Sequence, residues 1–229
     1  MLKAAVKVNI GKHDVFRADE YANNDWDFIT FTDMIESEYR KWSGDKKSHV
    51  VEVQDYFFPQ KNLSNKKKSS YLGISSLNVL SDICGIEYDL SVWLSGDACL
   101  IGNLDDFVNQ SHKGEVSAPI HTDCKNAIDD VSKIISYKKD SEANLVHTLN
   151  YMRDNGFTYT NGYHETFGLI KSRTKYALEL EEIWASEYLL LPTVRDQVVL
   201  PFARQIAEEK NPYSIFHGYD KKLMSGVFK

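Results

Sequence analysis

The clearest hydrophobic pattern in the chain is an apolar run that ends abruptly in small and acidic residues. The run covers Leu90 to Leu94, and Ser95, Gly96 and Asp97 follow it directly. A strand that is apolar on both faces belongs in the middle of a parallel or mixed sheet covered by helices. Open α/β sheets bind their ligands beyond the carboxyl ends of such strands. The pattern therefore predicts a central strand with a ligand site at its end.

Strand-like and helix-like segments alternate along the rest of the chain, which is typical of an α/β fold. Further strands are predicted at 3–10, 27–33, 49–54, 115–121 and 166–171. Helices are predicted at about 69–84, 104–110, 126–138, 143–154, 175–190 and 196–210. Residues 211–229 are predicted to form an irregular tail. Without repeats or linkers, the chain is expected to form one domain over 1–229, a Rossmann-type mixed sheet flanked by helices.

Composition excludes several classes of protein. The 229 residues are 42% hydrophobic and 26% charged, as in an ordinary soluble domain, and no apolar run is long enough for a membrane helix. The net charge of −6 argues against non-specific nucleic-acid binding. Three cysteines without metal-pair spacing favour a reducing compartment, and the cytoplasm is the expected location. No membrane partner is expected.

Several short motifs occur in a recognisable order. They are Val8 to Asp14, Phe28 to Asp33, Trp93 to Asp97, Pro119 to His121, Trp184 to Glu187 and Arg195 to Gln197. Together they resemble the glycosyltransferase-like domain of plant pectin and mucilage biosynthesis proteins and of many bacterial and viral proteins. The resemblance covers nearly the whole chain, although no single motif is long. It implies a GT-A fold and a nucleotide-diphosphate sugar, such as a UDP-sugar, as the donor.

The resemblance assigns the donor diphosphate and a Mn²⁺ or Mg²⁺ ion to Asp97, with Ser95 and Gly96 beside them. GT-A enzymes usually have Asp-x-Asp here, and Ser95 replaces the first aspartate, so that one carboxylate remains. Serine is a poor ligand for these cations. His217 is a candidate second metal ligand by analogy with glycogenin-like enzymes. The alternatives are a turn-forming aspartate and a structural histidine.

Catalytic roles are expected for Asp196, Arg195 and His121. Asp196 would act as a general base or hold a sugar hydroxyl, and Arg195 would reach the sugar or a phosphate. His121 ends a strand on the same side of the sheet as Asp97, so it could contact the sugar or the acceptor. The competing interpretations are a helix cap for Asp196 and a buried structural histidine for His121.

Fold analogy places the nucleotide at the end of the first strand. The residues expected there are Val8, Asn9 and Ile10 for the base, Asp33 for the base or ribose, and Arg17 and Lys66 for the phosphates.

The leading hypothesis is transfer of a sugar from a nucleotide-diphosphate donor to an acceptor hydroxyl. The acceptor is left open between a glycan, a protein, a small molecule and a modified nucleic acid. The main alternative is a catalytically silent domain that binds a glycan or a partner, which Ser95 favours. A metal-dependent phosphotransferase or hydrolase is a weaker alternative, because no phosphate-binding Gly-rich loop is present.

Overall fold

The computed structural model describes residues 1–12, 25–158 and 162–228. Within these residues the strands are β1 (Lys3–Asn9), β2 (Asp27–Thr32), β3 (His49–Glu52), β4 (Leu90–Leu94), β5 (Val116–Pro119), β6 (Leu169–Ser172) and β7 (Phe216–Tyr219). The α-helices are α1 (Glu36–Ser43), α2 (Asn65–Ile74), α3 (Ser76–Cys84), α4 (Leu104–Ser111), α5 (Ala127–Ser136), α6 (Glu142–Asp154), α7 (Lys175–Leu190) and α8 (Asp196–Lys210). None of these helices is long and apolar enough to cross a bilayer.

The described strands form one mixed sheet in the order β3-β2-β1-β4-β6-β5-β7. β1 lies parallel to β2 and β4, and β2 lies parallel to β3. β6 is antiparallel to both of its neighbours, β4 and β5, and β7 is parallel to β5. Consequently the carboxyl ends of β1, β4, β5 and β7 lie along one edge of the sheet. This architecture confirms the predicted mixed α/β sheet.

Helices cover both faces of the central strand β4, all five residues of which are buried. Trp93 faces the layer formed by α2, α3, α7 and α8, where its ring centroid lies 6.4 Å from that of Trp184. Val92 and Leu94 face the opposite layer, which includes α4. Gly73 of α2 crosses so close to Trp93 that a Cβ atom at Gly73 would lie 1.9 Å from the indole ring. Burial on both faces explains why the strand is apolar throughout.

The segment 69–84, predicted as one helix, forms two. α2 begins earlier, at Asn65, because the Ser64 hydroxyl caps it by accepting from the Lys67 N–H, and the helix axis breaks at Ser75. A buried ion pair between Lys171 and Glu181 occupies the break. The prediction of a single helix is wrong because this break depends on side chains that lie about a hundred residues further along the chain.

The predicted irregular tail is also wrong in part. Phe216–Tyr219 forms β7, which extends the sheet beyond β5, and a 3-10 helix follows at Lys221–Gly226. Leu100 then pairs with Phe228 through an isolated bridge. The tail thus returns to the edge of the sheet where β4 ends.

Candidate functional site

A groove lies at the edge of the sheet where the carboxyl ends of the parallel strands meet. Its volume is about 790 Å³. Ser95, Asp97 and Ala98 line it from the end of β4, Thr122 from beyond β5, and Phe167 from the loop before β6. Lys139, Arg195, Lys221, Lys222, Met224, Ser225 and Phe228 complete the lining. We call this cavity the main groove.

A smaller cavity of about 90 Å³ adjoins the main groove and shares Ser95 and Phe167 with it. Val8, Lys66, Ser69, Ser70, Trp93, Gly96, Thr166 and Asp196 also line this side pocket. The two cavities therefore bring together Ser95, Gly96, Asp97, Arg195 and Asp196, five of the residues that the sequence singled out. Lys66 and Val8 join them from α2 and β1.

Asp97 lies in a tight turn directly after β4. The Ala98 N–H donates to the Ser95 carbonyl at 3.0 Å, which closes the turn. The Ser95 hydroxyl donates to Asp97 Oδ1 at 2.5 Å, and the Asp97 side chain is exposed at the groove surface. Asp97 therefore stabilises the turn and also lines the main groove, so the two roles expected for it do not exclude each other.

Asp196 is the first residue of α8, and only 6% of it is exposed. Its Oδ1 accepts from the Ser70 hydroxyl at 3.2 Å, whereas its buried Oδ2 has no hydrogen-bond partner among the described residues. Trp184 donates its indole N–H to the Asp196 carbonyl at 3.1 Å and so fixes the start of the helix. The N-cap position is occupied by Arg195, so Asp196 does not cap the helix. Asp196 also lines the side pocket, and a carboxylate oxygen that lacks a donor there is suited to accept from a ligand hydroxyl.

Asp140 holds the segment that carries Arg195 and Asp196. It accepts from the Thr193 hydroxyl at 2.7 Å and from the Val194 N–H at 2.9 Å. Burial opposes ionisation of Asp140, but these hydrogen bonds outweigh it and hold the pKa of its carboxyl below the ordinary value. Asp140 is therefore a positioning residue that lies one position after Lys139 of the groove wall.

The main groove is strongly cationic. Its lining includes four basic side chains, Lys139, Arg195, Lys221 and Lys222, and one acidic side chain, Asp97. Only Lys221 has a carboxylate partner in the ion pairs found between described residues, with its Nζ 2.7 Å from Glu165. A groove with this excess of positive charge attracts anionic ligands.

His121 lies next to a hydrogen-bonded cluster beside the groove and is not among the residues that line either cavity. The ring nitrogen Nδ1 of His121 accepts from the backbone N–H groups of Asp123 and Cys124, both at 3.1 Å. Ligand atoms of His121, Cys124 and Asp130 lie within 4.8 Å of one another, as a metal site would require. However, Asp130 Oδ2 accepts from the Tyr163 hydroxyl at 2.7 Å, so these groups already satisfy one another.

The residues expected around the nucleotide are only partly brought together. Asp33 accepts from the Gly11 N–H at 2.9 Å and thereby joins the ends of β1 and β2. Val8 lines the side pocket, but Ile10 packs in the core beneath α2, and Asn9 is buried at the end of β1. Arg17 lies outside the described residues.

His217 lies inside β7, opposite Ser117 in the β5–β7 pairing, and does not line either cavity. It is close to His112, whose pKa is lowered to about 4 first by burial and then by the nearby His217. The structure therefore places His217 with His112 rather than with Asp97.

Lys139, Lys221, Lys222 and Phe167 are groove residues that the sequence did not indicate. The two adjacent lysines follow Phe216–Tyr219, so recognition of that strand would have placed them at the same edge as Asp97. Lys139 and Phe167 lie in connecting loops with no local motif.

No family model and no curated protein matches the chain, so the resemblance to the plant family stays a prediction. Solved structures do match. The chain is similar to mouse xyloside xylosyltransferase 1, at 8% identity over 96% of this chain and 86% of that one, with a TM-score of 0.52. It is also similar to the bifunctional glycosyltransferase WbbM, at 13% identity over 95% of this chain, with a TM-score of 0.50. The chain spans 38% of the WbbM structure. These similarities show that the fold is that of GT-A glycosyltransferases.

Proposed function

We propose that the protein is a glycosyltransferase that uses a nucleotide-diphosphate sugar. The observation that carries this proposal is buried Asp196, which lines a side pocket next to the cationic main groove and has no hydrogen-bond partner for Oδ2 among the described residues. A sugar hydroxyl in the pocket would donate to this oxygen, and the phosphates would lie in the groove. The fold shared with structures of glycosyltransferases supports the proposed class of reaction.

Transfer of a sugar passes through a transition state in which the anomeric carbon is cationic and negative charge grows on the departing diphosphate. Arg195 and the lysines of the main groove would stabilise that growing charge, because fixed cations aimed at a developing anion lower the barrier. Asp196 would orient the donor sugar or accept the proton of the acceptor hydroxyl. Phe167 and Ser95, which line both cavities, would lie where the sugar joins the diphosphate.

A divalent metal ion at Asp97, which the sequence led us to expect, does not fit the described residues. Mn²⁺ and Mg²⁺ prefer several oxygen ligands, and carboxylates above all. Asp97 is the single carboxylate in the described groove lining, and its Oδ1 already accepts from Ser95. The His121, Cys124 and Asp130 group contains a soft thiol and internal hydrogen bonds, so it is a poor substitute. The charge of the diphosphate is therefore assigned to the basic side chains of the main groove.

In the proposed reaction His121 would act on the acceptor side. Because Nδ1 accepts two backbone N–H groups, the proton of the neutral ring lies on Nε2, which could donate to an acceptor substrate. His121 is placed beside Thr122, which lines the main groove. Since His121 lines neither cavity, its role in the proposed reaction would be to contact an acceptor that extends past Thr122 out of the main groove.

The proposal is tested by incubating the protein with a panel of nucleotide-diphosphate sugars, UDP-sugars first, and measuring release of the nucleoside diphosphate. Asp196→Asn is expected to lower turnover by roughly 100-fold or more, because the amide cannot accept a proton and places a donor beside the sugar. Asp154→Asn, at an exposed carboxylate near the end of α6, is the matched control and should retain full turnover.

Two results would count against the proposal. Undiminished turnover in Asp196→Asn would remove the residue on which it rests. Thermal stabilisation of the protein by a nucleotide, without turnover of any donor, would favour the silent glycan-binding or partner-binding domain instead.

A further inference from the structure

We infer that the main groove holds the donor diphosphate with its own basic side chains and without a divalent cation. This inference rests on the proposed function and goes beyond it, because it names what neutralises the phosphates. It also departs from the metal-dependent site that the Asp-x-Asp comparison led us to expect. Three observations on the described residues carry it.

The first observation is the poverty of metal ligands at the end of β4. Ser95 stands where a second carboxylate would be needed, and its hydroxyl donates to Asp97 Oδ1. Asp97 Oδ1 thus already accepts a hydrogen bond, which a metal ion would have to break in order to bind this oxygen. No other carboxylate lines the main groove in the described part of the chain, and the Asp196 carboxylate lies in the side pocket, where it accepts from Ser70. His217 lines neither cavity.

The second observation is the number of cations that converge on the groove from separate segments. Lys139 comes from the loop before α6, Arg195 from the residue before α8, and Lys221 and Lys222 from the 3-10 helix after β7. A diphosphate carries two to three negative charges, so these side chains can neutralise it without a metal. The same side chains would repel a divalent cation at Asp97.

The third observation is that the groove cations have unused donors. Arg195 Nε is buried and has no acceptor among the described residues. Lys139 and Lys222 form none of the ion pairs found there, although Lys139 Nζ lies 5.6 Å from the Tyr137 ring centroid. A buried guanidinium N–H without an acceptor is costly unless a ligand supplies one. A phosphate oxygen is the acceptor that arginine and lysine bind best.

The test measures binding of inorganic pyrophosphate, which isolates the diphosphate from the unknown base and sugar, by calorimetry in EDTA and in excess Mn²⁺ or Mg²⁺. We expect binding in EDTA at least as tight as with metal. Lys222→Ala and Lys139→Ala alter exposed side chains, so the fold should persist, and each should weaken binding by roughly three- to tenfold. Lys41→Ala is the matched control and should leave binding unchanged. Lys41 is an exposed lysine on α1, which packs against β3, the outermost strand on the side of the sheet away from β7.

Asp97→Asn separates the two mechanisms most sharply. If cations alone hold the diphosphate, removal of the one groove carboxylate should tighten pyrophosphate binding by roughly two- to fivefold, because it removes a repulsion. If a metal ion held at Asp97 binds the phosphates, the same substitution should abolish binding. The asparagine can still accept from Ser95, so the turn is preserved.

Turnover of the donor panel with and without EDTA distinguishes failure of this inference from failure of the proposed function. Turnover and pyrophosphate binding that both require Mn²⁺ or Mg²⁺ would overturn the inference while the glycosyltransferase proposal stands. If pyrophosphate binds without metal and the lysine variants weaken that binding, but no donor is turned over, the inference on the phosphates stands and the proposed glycosyltransferase activity is overturned. The absence of both binding and turnover would overturn both.

Discussion

The buried ion pair between Lys171 and Glu181 offers a sharp test of how the two helices under β4 and β6 are joined. Both side chains are almost fully buried, with 2% and 1% exposed. Lys171 Nζ donates to the Ile74 carbonyl at 2.7 Å and the Gly73 carbonyl at 3.3 Å, at the end of α2. The two carboxylate oxygens of Glu181 accept from the Leu77 and Asn78 N–H groups, both at 3.0 Å, at the start of α3. One pair thus satisfies four backbone groups at the helix break.

Glu181→Gln should lower the free energy of unfolding by about 3–5 kcal/mol, because it leaves the buried Lys171 ammonium without its counter-charge. Lys171→Met should cost a similar amount, since Glu181 then keeps its charge with only backbone donors. The double variant should lower the free energy of unfolding by less than the sum of the two single effects, with a difference of about 2 kcal/mol or more, because it leaves no unpaired buried charge. The measurement is urea unfolding followed by circular dichroism, with the m-value as a check on two-state behaviour.

Glu182→Gln provides the control, because Glu182 is the next residue of α7 and is exposed. It should leave the unfolding midpoint unchanged. Two results would refute the role assigned to the pair. The single variants at Lys171 and Glu181 could leave the unfolding midpoint unchanged, or their effects could simply add in the double variant.

Three further predictions follow from packing, titration and positioning. Gly73→Ala should destabilise the fold by about 1–3 kcal/mol through overpacking against Trp93, and an unchanged melting temperature would contradict that close approach. Burial lowers the pKa of His112 and of His164 to about 4, so the unfolded chain gains protons first as the pH falls below about 6.5. The free energy of unfolding should therefore fall by about 2 kcal/mol per histidine between pH 7 and pH 5, less for the more exposed His112, and a flat profile would exclude this. Asp140→Asn should lower donor turnover at neutral pH although the protein stays folded at the assay temperature, because Asp140 holds the segment that carries Arg195 and Asp196. An equal loss of turnover in an exposed-site control such as Asp154→Asn would show that Asp140 has no positioning role.

Much of the fold could be predicted because local signals agreed with the tertiary structure. β4 has the predicted bounds, since burial on both faces leaves a continuous apolar run. α7 and α8 also have the predicted bounds, because Pro192 interrupts the pattern between them. β7 was missed because Phe216–Tyr219 is short, half-buried and at the edge of the sheet, where no alternation of polar and apolar residues is required.

The candidate site was predictable only where it lies at the end of a recognisable element. Asp97 follows the central strand, so its position made it a candidate, whereas Asp196 became one through the resemblance that Arg195 to Gln197 carries. Lys139 and Lys222 reach the groove from distant segments. The sequence around a single lysine does not indicate which cavity its side chain will line. β6 begins at Leu169 rather than at Thr166 because Gly168 adopts a positive φ of 78° in the preceding loop, a conformation that the strand pattern did not anticipate.

The position of β7 at the outer edge of the sheet has a consequence for folding. Until residues 216–219 pair with it, β5 presents an unpaired edge to other chains. Lys221 and Lys222 directly follow that strand, so a refolding chain should reach its full affinity for anions only when β7 has joined the sheet. Anion binding during refolding would therefore report completion of the sheet.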